Sequence, residues 1–153
     1  MIKTLVLVRH AHALSSFAAQ VPTDAQRPLS PEGEEKAAFT ARRLKELNFR
    51  HPARILTSPL VRAKQTASVL AQALGCPVIQ ATELDGLHND TDVRDFLCEQ
   101  LQTVDTLIAV GHNPNISYVN HLLCGQVHAF RPGSFSVLYI EDGKVLPSFI
   151  FGE

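Results

Sequence analysis

Four side chains in this sequence have the chemistry to hold and attack a doubly charged anion: Arg9, His10, Arg62 and His112. Arg9-His10 directly follows a short apolar run, and Arg62 lies in the opening turn of a helical stretch. His112 stands in Gly111-His112-Asn113, just after the run TLIAV and just before another helical stretch. Arginine offers planar forks of donors that match phosphate oxygens, and it stays charged at any relevant pH. Helix N-termini add partial positive charge. A neutral imidazole beside such a cradle can attack phosphorus and form a covalent intermediate. A second imidazole, if protonated, can stabilise charge on the transferring group, and phosphoryl transfer depends mainly on positioning and electrostatics. Singly, each element is a weak signal, because an Arg-His pair after a strand is more often structural than catalytic. The reading depends on whether the fold brings them together.

The elements around them give that convergence. Lys3 to Val8 reads as a buried parallel strand. The polar stretch Ala13 to Leu29 reads as a long surface loop that borders the site. Ser30-Pro31 opens a helix whose face carries Ala37, Ala41 and Leu44, and Arg54 to Thr57 is a second strand. Ser58-Pro59 opens a second helix with Ala63, Ala67, Leu70 and Leu74 on one face, ended by Gly75. Pro77 to Gln80 is a third short strand, Thr91 caps a helix through Leu101, and Thr106 to Val110 is a buried strand. Asn113-Pro114 opens a helix closed near Gly125. Ser134 to Ile140 and Lys144 to Phe151 are strands joined at Asp142-Gly143, with Pro147 placing the last on an edge. This alternation predicts an α/β fold: a three-layer α/β/α sandwich with a mainly parallel sheet and a C-terminal antiparallel hairpin. Ligand crevices in such sheets lie at the carboxyl ends of the strands, where Arg9, His10, Arg62 and His112 all fall.

Composition narrows the rest. With 153 residues and 45% apolar content, the chain suits one domain, 1–153, with a sizeable core. Lys and Arg number 14 against 15 Asp and Glu, and no basic run occurs, so neither nucleic acid nor an anionic membrane is expected as a partner. The N-terminal apolar run is too short for a signal-peptide core or a membrane span, which points to a cytoplasmic protein. Cys76, Cys98 and Cys124 form no close pair, so they read as reduced, buried thiols rather than a disulfide or zinc framework.

The motifs resemble those of the histidine phosphatase (phosphoglycerate mutase-like) superfamily. Val8-Arg9-His10-Ala11 is similar to its R-H-G signature, and Arg27-Pro28-Leu29-Ser30 followed by Gly33 to its R-x-L-[ST]-x-x-G segment. Ser58-Pro59 with Arg62, Ala63, Gln65 and Thr66 is similar to its S-P-x-x-R-A-x-Q-T block, and Val110-Gly111-His112-Asn113 to its second-histidine motif. These run in family order from residue 5 to about residue 115. The resemblance implies a nucleophilic His10, phosphoryl binding by Arg9 and Arg62, and His112 as the second histidine of the phosphate pocket. Ala11 stands where the family usually has glycine, a departure that resembles the small SixA-type phosphohistidine phosphatases. So does the short connection between the Arg62 helix and the His112 strand, which implies no cap insertion.

The same resemblance implies a metal-independent phosphatase with a phospho-His10 intermediate and no cofactor, acting on phosphohistidine of a signalling or phosphotransfer protein. Glu83 is the expected general acid, with Asp85 and Asp90 as rivals; a nitrogen leaving group demands less of an acid than an alkoxide. Two other readings stand beside this: a phosphatase of a small phosphoester such as a sugar phosphate, and a non-catalytic binder of phosphoproteins. The H-x-H of His10 and His12 also invites a metal, but Arg9 and Arg62 would repel a divalent cation there. His12 then reads as lining the rim of the pocket. His51, His88, His121 and His128 read as structural or exposed, and Ser58 and Asn113 as helix caps.

Overall fold

The computed structural model describes residues 1–153. The first apolar run forms β1 (Ile2–Arg9), and its side-chain alternation decides the layering. Leu5 and Leu7 join one buried cluster while Val6 and Val8 join another, as a period of two requires. β2 (Ala53–Thr57), β3 (Val78–Gln80) and β4 (Thr106–Gly111) run parallel with β1 in the order β3-β2-β4-β1. β5 (Phe135–Glu141) pairs antiparallel with the other side of β1, Val6 lying opposite Val137. β4 is buried along its whole length, which explains why TLIAV is continuously apolar rather than alternating.

Helices cover both faces. α1 (Ser16–Ala19) is a single turn in the loop after β1. α2 (Pro31–Lys45) and α3 (Val61–Leu74) pack on the Val6/Val8 face through Ala41, Leu44, Ala63, Ala67 and Leu70. α4 (Asp90–Leu101) and α5 (Asn115–Cys124) cover the Leu5/Leu7 face through Val93, Leu97, Leu101, Ile116 and Val119. Each fully buried leucine contributes about 1.5–3 kcal/mol, so the two clusters fix the strand ends that carry the polar residues. The α/β sandwich expected from the sequence is the one observed. No helix is long and apolar enough to cross a membrane.

Four local expectations need correction. The return strand of the hairpin is broken into β6 (Lys144–Val145) and β7 (Ile150–Gly152), both paired with β5. Pro147 lies in the interruption, where a residue without an N–H cannot join a ladder. The turn itself is as expected, with Asp142 and Gly143 both at positive φ. α4 is capped by Asn89, whose side chain accepts from the Thr91 N–H, rather than by Thr91. α3 begins at Val61 without a side-chain cap, which frees the Ser58 hydroxyl for another partner. Of the three free thiols only Cys76 is buried; Cys98 and Cys124 are half-buried.

Candidate active site

The carboxyl ends of β1, β2 and β4 open on a crevice of about 590 Å³. Arg9, His10, Arg62 and His112 line it together, although more than a hundred positions separate the first from the last. Asp24, Asp85, Gly86, Leu87 and Asn113 complete much of its wall.

His10 is anchored at its backbone. Its N–H donates to the Gly111 carbonyl of β4, and its own carbonyl accepts from Gly133, each at 3.0 Å. Its Nδ1–H donates to the Ala11 carbonyl at 2.7 Å. That bond fixes the tautomer, leaving Nε2 with its lone pair free. Burial pulls the His10 pKa from 6.5 down to about 4; the bond to Ala11 opposes this, and the charges of His112, Arg62 and Arg9 add to it. The imidazole is therefore neutral near pH 7.

His112 lies beside it, with ring centroids 5.0 Å apart. Its Nε2 is 2.7 Å from Ser58 Oγ. Ser58 is fully buried and its oxygen already accepts the Leu60 N–H, so the hydroxyl proton has only His112 Nε2 to bond. The ring then carries its proton on Nδ1. Burial and the Arg62 charge lower the His112 pKa to about 4, partly offset by Asp24 and Asp85. Both histidines are thus neutral before a ligand binds, and an incoming phosphoryl dianion would favour protonation of His112.

The arginines are held from behind. Arg9 Nη1 donates to the Phe130 carbonyl at 2.9 Å, and Asn113 Nδ2 donates to the same oxygen at 3.1 Å. Arg9 Nε is buried with no acceptor in the protein. Arg62 is buried, and Asp24 grips its outer edge: Nη1 donates to the Asp24 carbonyl at 2.9 Å and Nη2 to Oδ2 at 3.0 Å. Asp24 Oδ1 also accepts from Arg27 Nη1, and Arg27 Nε in turn donates to the Leu14 carbonyl. The loop between β1 and α2 is thereby strapped to Arg62.

The remaining motif residues hold loops in place. Thr66 Oγ1 accepts the Ala11 N–H at 3.1 Å, and Gln65 Oε1 accepts the Leu29 N–H at 2.8 Å. Ser30 caps α2 by accepting from Gly33, and its hydroxyl lies 2.7 Å from His12 Nδ1. Gly33 sits so close that a Cβ there would stand 2.0 Å from the His12 carbonyl oxygen. The buried Ala11 fills the position where glycine was the family's usual choice.

Three sequence-based expectations fall outside this arrangement. Glu83 does not line the crevice; its neighbour two residues on, Asp85, does. Asp90 is also outside, its carboxylate accepting from Asn115 Nδ2. His12 lines a separate polar groove with Glu32, Lys36 and Arg131 instead of the rim. Sequence reasoning missed Asp24, an unremarkable residue in a polar loop, and gave Ser58 a capping role. No local pattern signals either contact, since the partners lie 38 and 54 positions away. His88, read as structural or exposed, is exposed and is bonded through Nδ1 to Asp85 Oδ1 at 2.9 Å. Nowhere do three His, Cys, Asp or Glu side chains converge as a metal-binding group would require.

Known proteins resemble this chain. An uncharacterised protein of Picosynechococcus sp. is 36% identical over 109 residues, which span 69% of this chain and 64% of that protein. The probable phosphoglycerate mutase GpmB of Serratia proteamaculans is 34% identical over 82 residues, 54% of this chain and 37% of its own. The chain thus spans less than two thirds of the length of these curated relatives. Among solved structures, the protein histidine phosphatase SixA complexed with tungstate superposes with a TM-score of 0.82 at 22% identity, covering 98% of this chain and 94% of that one. The alpha-ribazole phosphatase from Shigella flexneri gives 0.70 at 18% identity, covering 93% of each chain. At these identities the structural likeness establishes the fold. The family profile described as histidine phosphatase superfamily (branch 1) matches residues 5–91, more than half of the sequence. The chain belongs to the histidine phosphatase superfamily.

Proposed function

We propose that this protein is a phosphatase in which His10 Nε2 attacks phosphorus, and that its substrate is phosphohistidine carried on another protein. The observation that carries the reading is the state of His10: neutral, held by Ala11 in the tautomer that exposes Nε2, and flanked by Arg9 and Arg62. In the first step the Nε2–P bond forms as the P–N bond to the substrate imidazole breaks, its electron pair passing to the leaving ring. Water then attacks phosphorus, and the P–Nε2 pair returns to His10. The proton kept on Nδ1 by Ala11 lets His10 leave as a neutral imidazole. Arg9, Arg62 and His112 hold the equatorial oxygens throughout.

The protein-borne substrate is supported by the shape of the crevice and by the SixA likeness. The rim consists of the short segments around Asp24 and Leu87, and Leu87 stands 89% exposed there. An open site of this kind admits a side chain on a folded partner. A small phosphoester as substrate is the second reading, favoured by the alpha-ribazole phosphatase likeness.

Wild-type and His10→Ala protein, without added metal, are to be incubated with a phosphohistidine-bearing phosphotransfer protein and with a panel of small phosphoesters. Rapid phosphate release from the phosphoprotein, abolished in the variant, is expected. Turnover confined to esters would move the substrate to the second reading, and retention of the phosphoprotein without turnover would make the chain a binding module.

A further inference from the structure

Asp85 is the acidic side chain lining the crevice that no arginine neutralises, since Asp24 is engaged by Arg27 and Arg62. Its Oδ1 accepts two donors, the Leu87 N–H at 2.8 Å and His88 Nδ1 at 2.9 Å. Oδ2 takes no donor from the protein. Gly86, at φ +89, packs its backbone against the His112 ring, where an added Cβ would come within 3.3 Å of His112 Cβ. The turn therefore sets the carboxylate next to the phosphate pocket rather than out in solvent.

Two donors on Oδ1 stabilise the ionised carboxylate, which is an acceptor and not a proton donor. Burial pushes the Asp85 carboxyl up, but the Leu87 and His88 bonds and the charges of His88 and His112 outweigh it, and the result lies below the usual carboxylate range. Such a group cannot deliver a proton to an alkoxide. It opposes the negative charge that an oxygen leaving group develops, and it favours a leaving group that brings its own N–H.

We infer that Asp85 is a specificity-determining residue, whose Oδ2 accepts the far-ring N–H of a leaving imidazole and so selects N-phosphoryl over O-phosphoryl substrates. This rests on the reading of His10 as nucleophile. As the Nε2–P bond forms, the P–N electron pair stays on the departing ring. That ring leaves as neutral imidazole because its second nitrogen already carries the proton bonded to Asp85. Nothing is transferred to or from Asp85, whose role is to hold that proton in place and to repel an oxyanion.

The test compares two small substrates, so that docking of a protein plays no part: N-phosphoimidazole and p-nitrophenyl phosphate, each measured as kcat/KM with wild-type, Asp85→Asn and His88→Gln proteins. The ratio of the two values is expected to fall at least tenfold in Asp85→Asn, with the ester value rising as the repulsion is removed. His88→Gln keeps the carboxylate and is expected to change the ratio less than threefold. Equal losses on both substrates in Asp85→Asn would overturn the inference while leaving the phosphatase reading intact. A wild-type protein that hydrolyses the ester but not N-phosphoimidazole would overturn the inference and the phosphohistidine substrate together, yet spare His10. A wild-type protein that turns over neither small substrate would overturn the inference, since contact of Asp85 with an imidazole would then not select the substrate, while His10 is decided by the phosphoprotein assay.

Discussion

Replacing Ser58 with alanine tests whether the second histidine works because it is oriented. Ser58 Oγ is 2.7 Å from His112 Nε2, and the serine is fully buried. The variant leaves a buried ring nitrogen without its partner, which costs about 1–3 kcal/mol. If that orientation is realised in the transition state, the cost appears as a fall in kcat/KM of about 5- to 150-fold, at roughly 1.4 kcal/mol per factor of ten. The assay is a double-mutant cycle with Ser58→Ala, His112→Ala and the pair, read as kcat/KM on one substrate. Because Ser58 acts through His112, it should have almost no effect in the His112→Ala background, giving a coupling energy near the full single-mutant cost. Denaturant midpoints of the four proteins separate this from simple unfolding. Two additive, independent losses would refute the reasoning, since Ser58 would then matter for something other than the ring.

Other consequences are as direct. The depressed His10 pKa of about 4 means that acid inactivates the nucleophile late: as pH falls the neutral ring persists to about 4. At pH 5, about nine-tenths of His10 should remain neutral, against only about 3% at the ordinary value of 6.5, so an acid limb of kcat/KM near 6.5 would contradict its placement. Asp24→Ala should lower kcat/KM about tenfold or more by releasing Arg62, because small displacements of a positioning group are costly in rate. Its effect on the unfolding free energy should stay under about 1 kcal/mol, as expected for an ion pair whose acidic side chain is 63% exposed. Gly33→Ala should destabilise the fold by about 1–3 kcal/mol in thermal melts, because its methyl would meet the His12 backbone.

Much of the architecture is written locally. The alternation of Leu5, Val6, Leu7 and Val8 assigns the two faces of β1, and Ser30-Pro31 sets the start of α2 correctly. Helix starts are harder where several polar residues compete: Asn89 reaches the amide of Thr91, and the two cannot be told apart from residue type alone. The candidate phosphate-binding residues were legible because each follows a strand end, a position the topology brings to one crevice. Contacts between side chains remote in sequence were not. Whether Ser58 caps a helix or holds a histidine depends on where β4 ends relative to β2. The choice between Glu83 and Asp85 likewise turns on the course of a turn that Gly86 bends across His112.

The backbone bonds around His10 also govern when the site comes into being. His10 N–H is bonded to Gly111, its carbonyl to Gly133, and the preceding Arg9 N–H to Ser134, so His10 is gripped by segments made long after it. During synthesis the ribosome releases these clamps last, and contacts of such high sequence separation form slowly. A nascent chain halted before β4 and β5 holds His10 bonded to Ala11, and Ala11 to Thr66, but lacks the Gly111 and Gly133 clamps. The crevice around His10 is therefore completed only once β4 and the segment leading into β5 have been made.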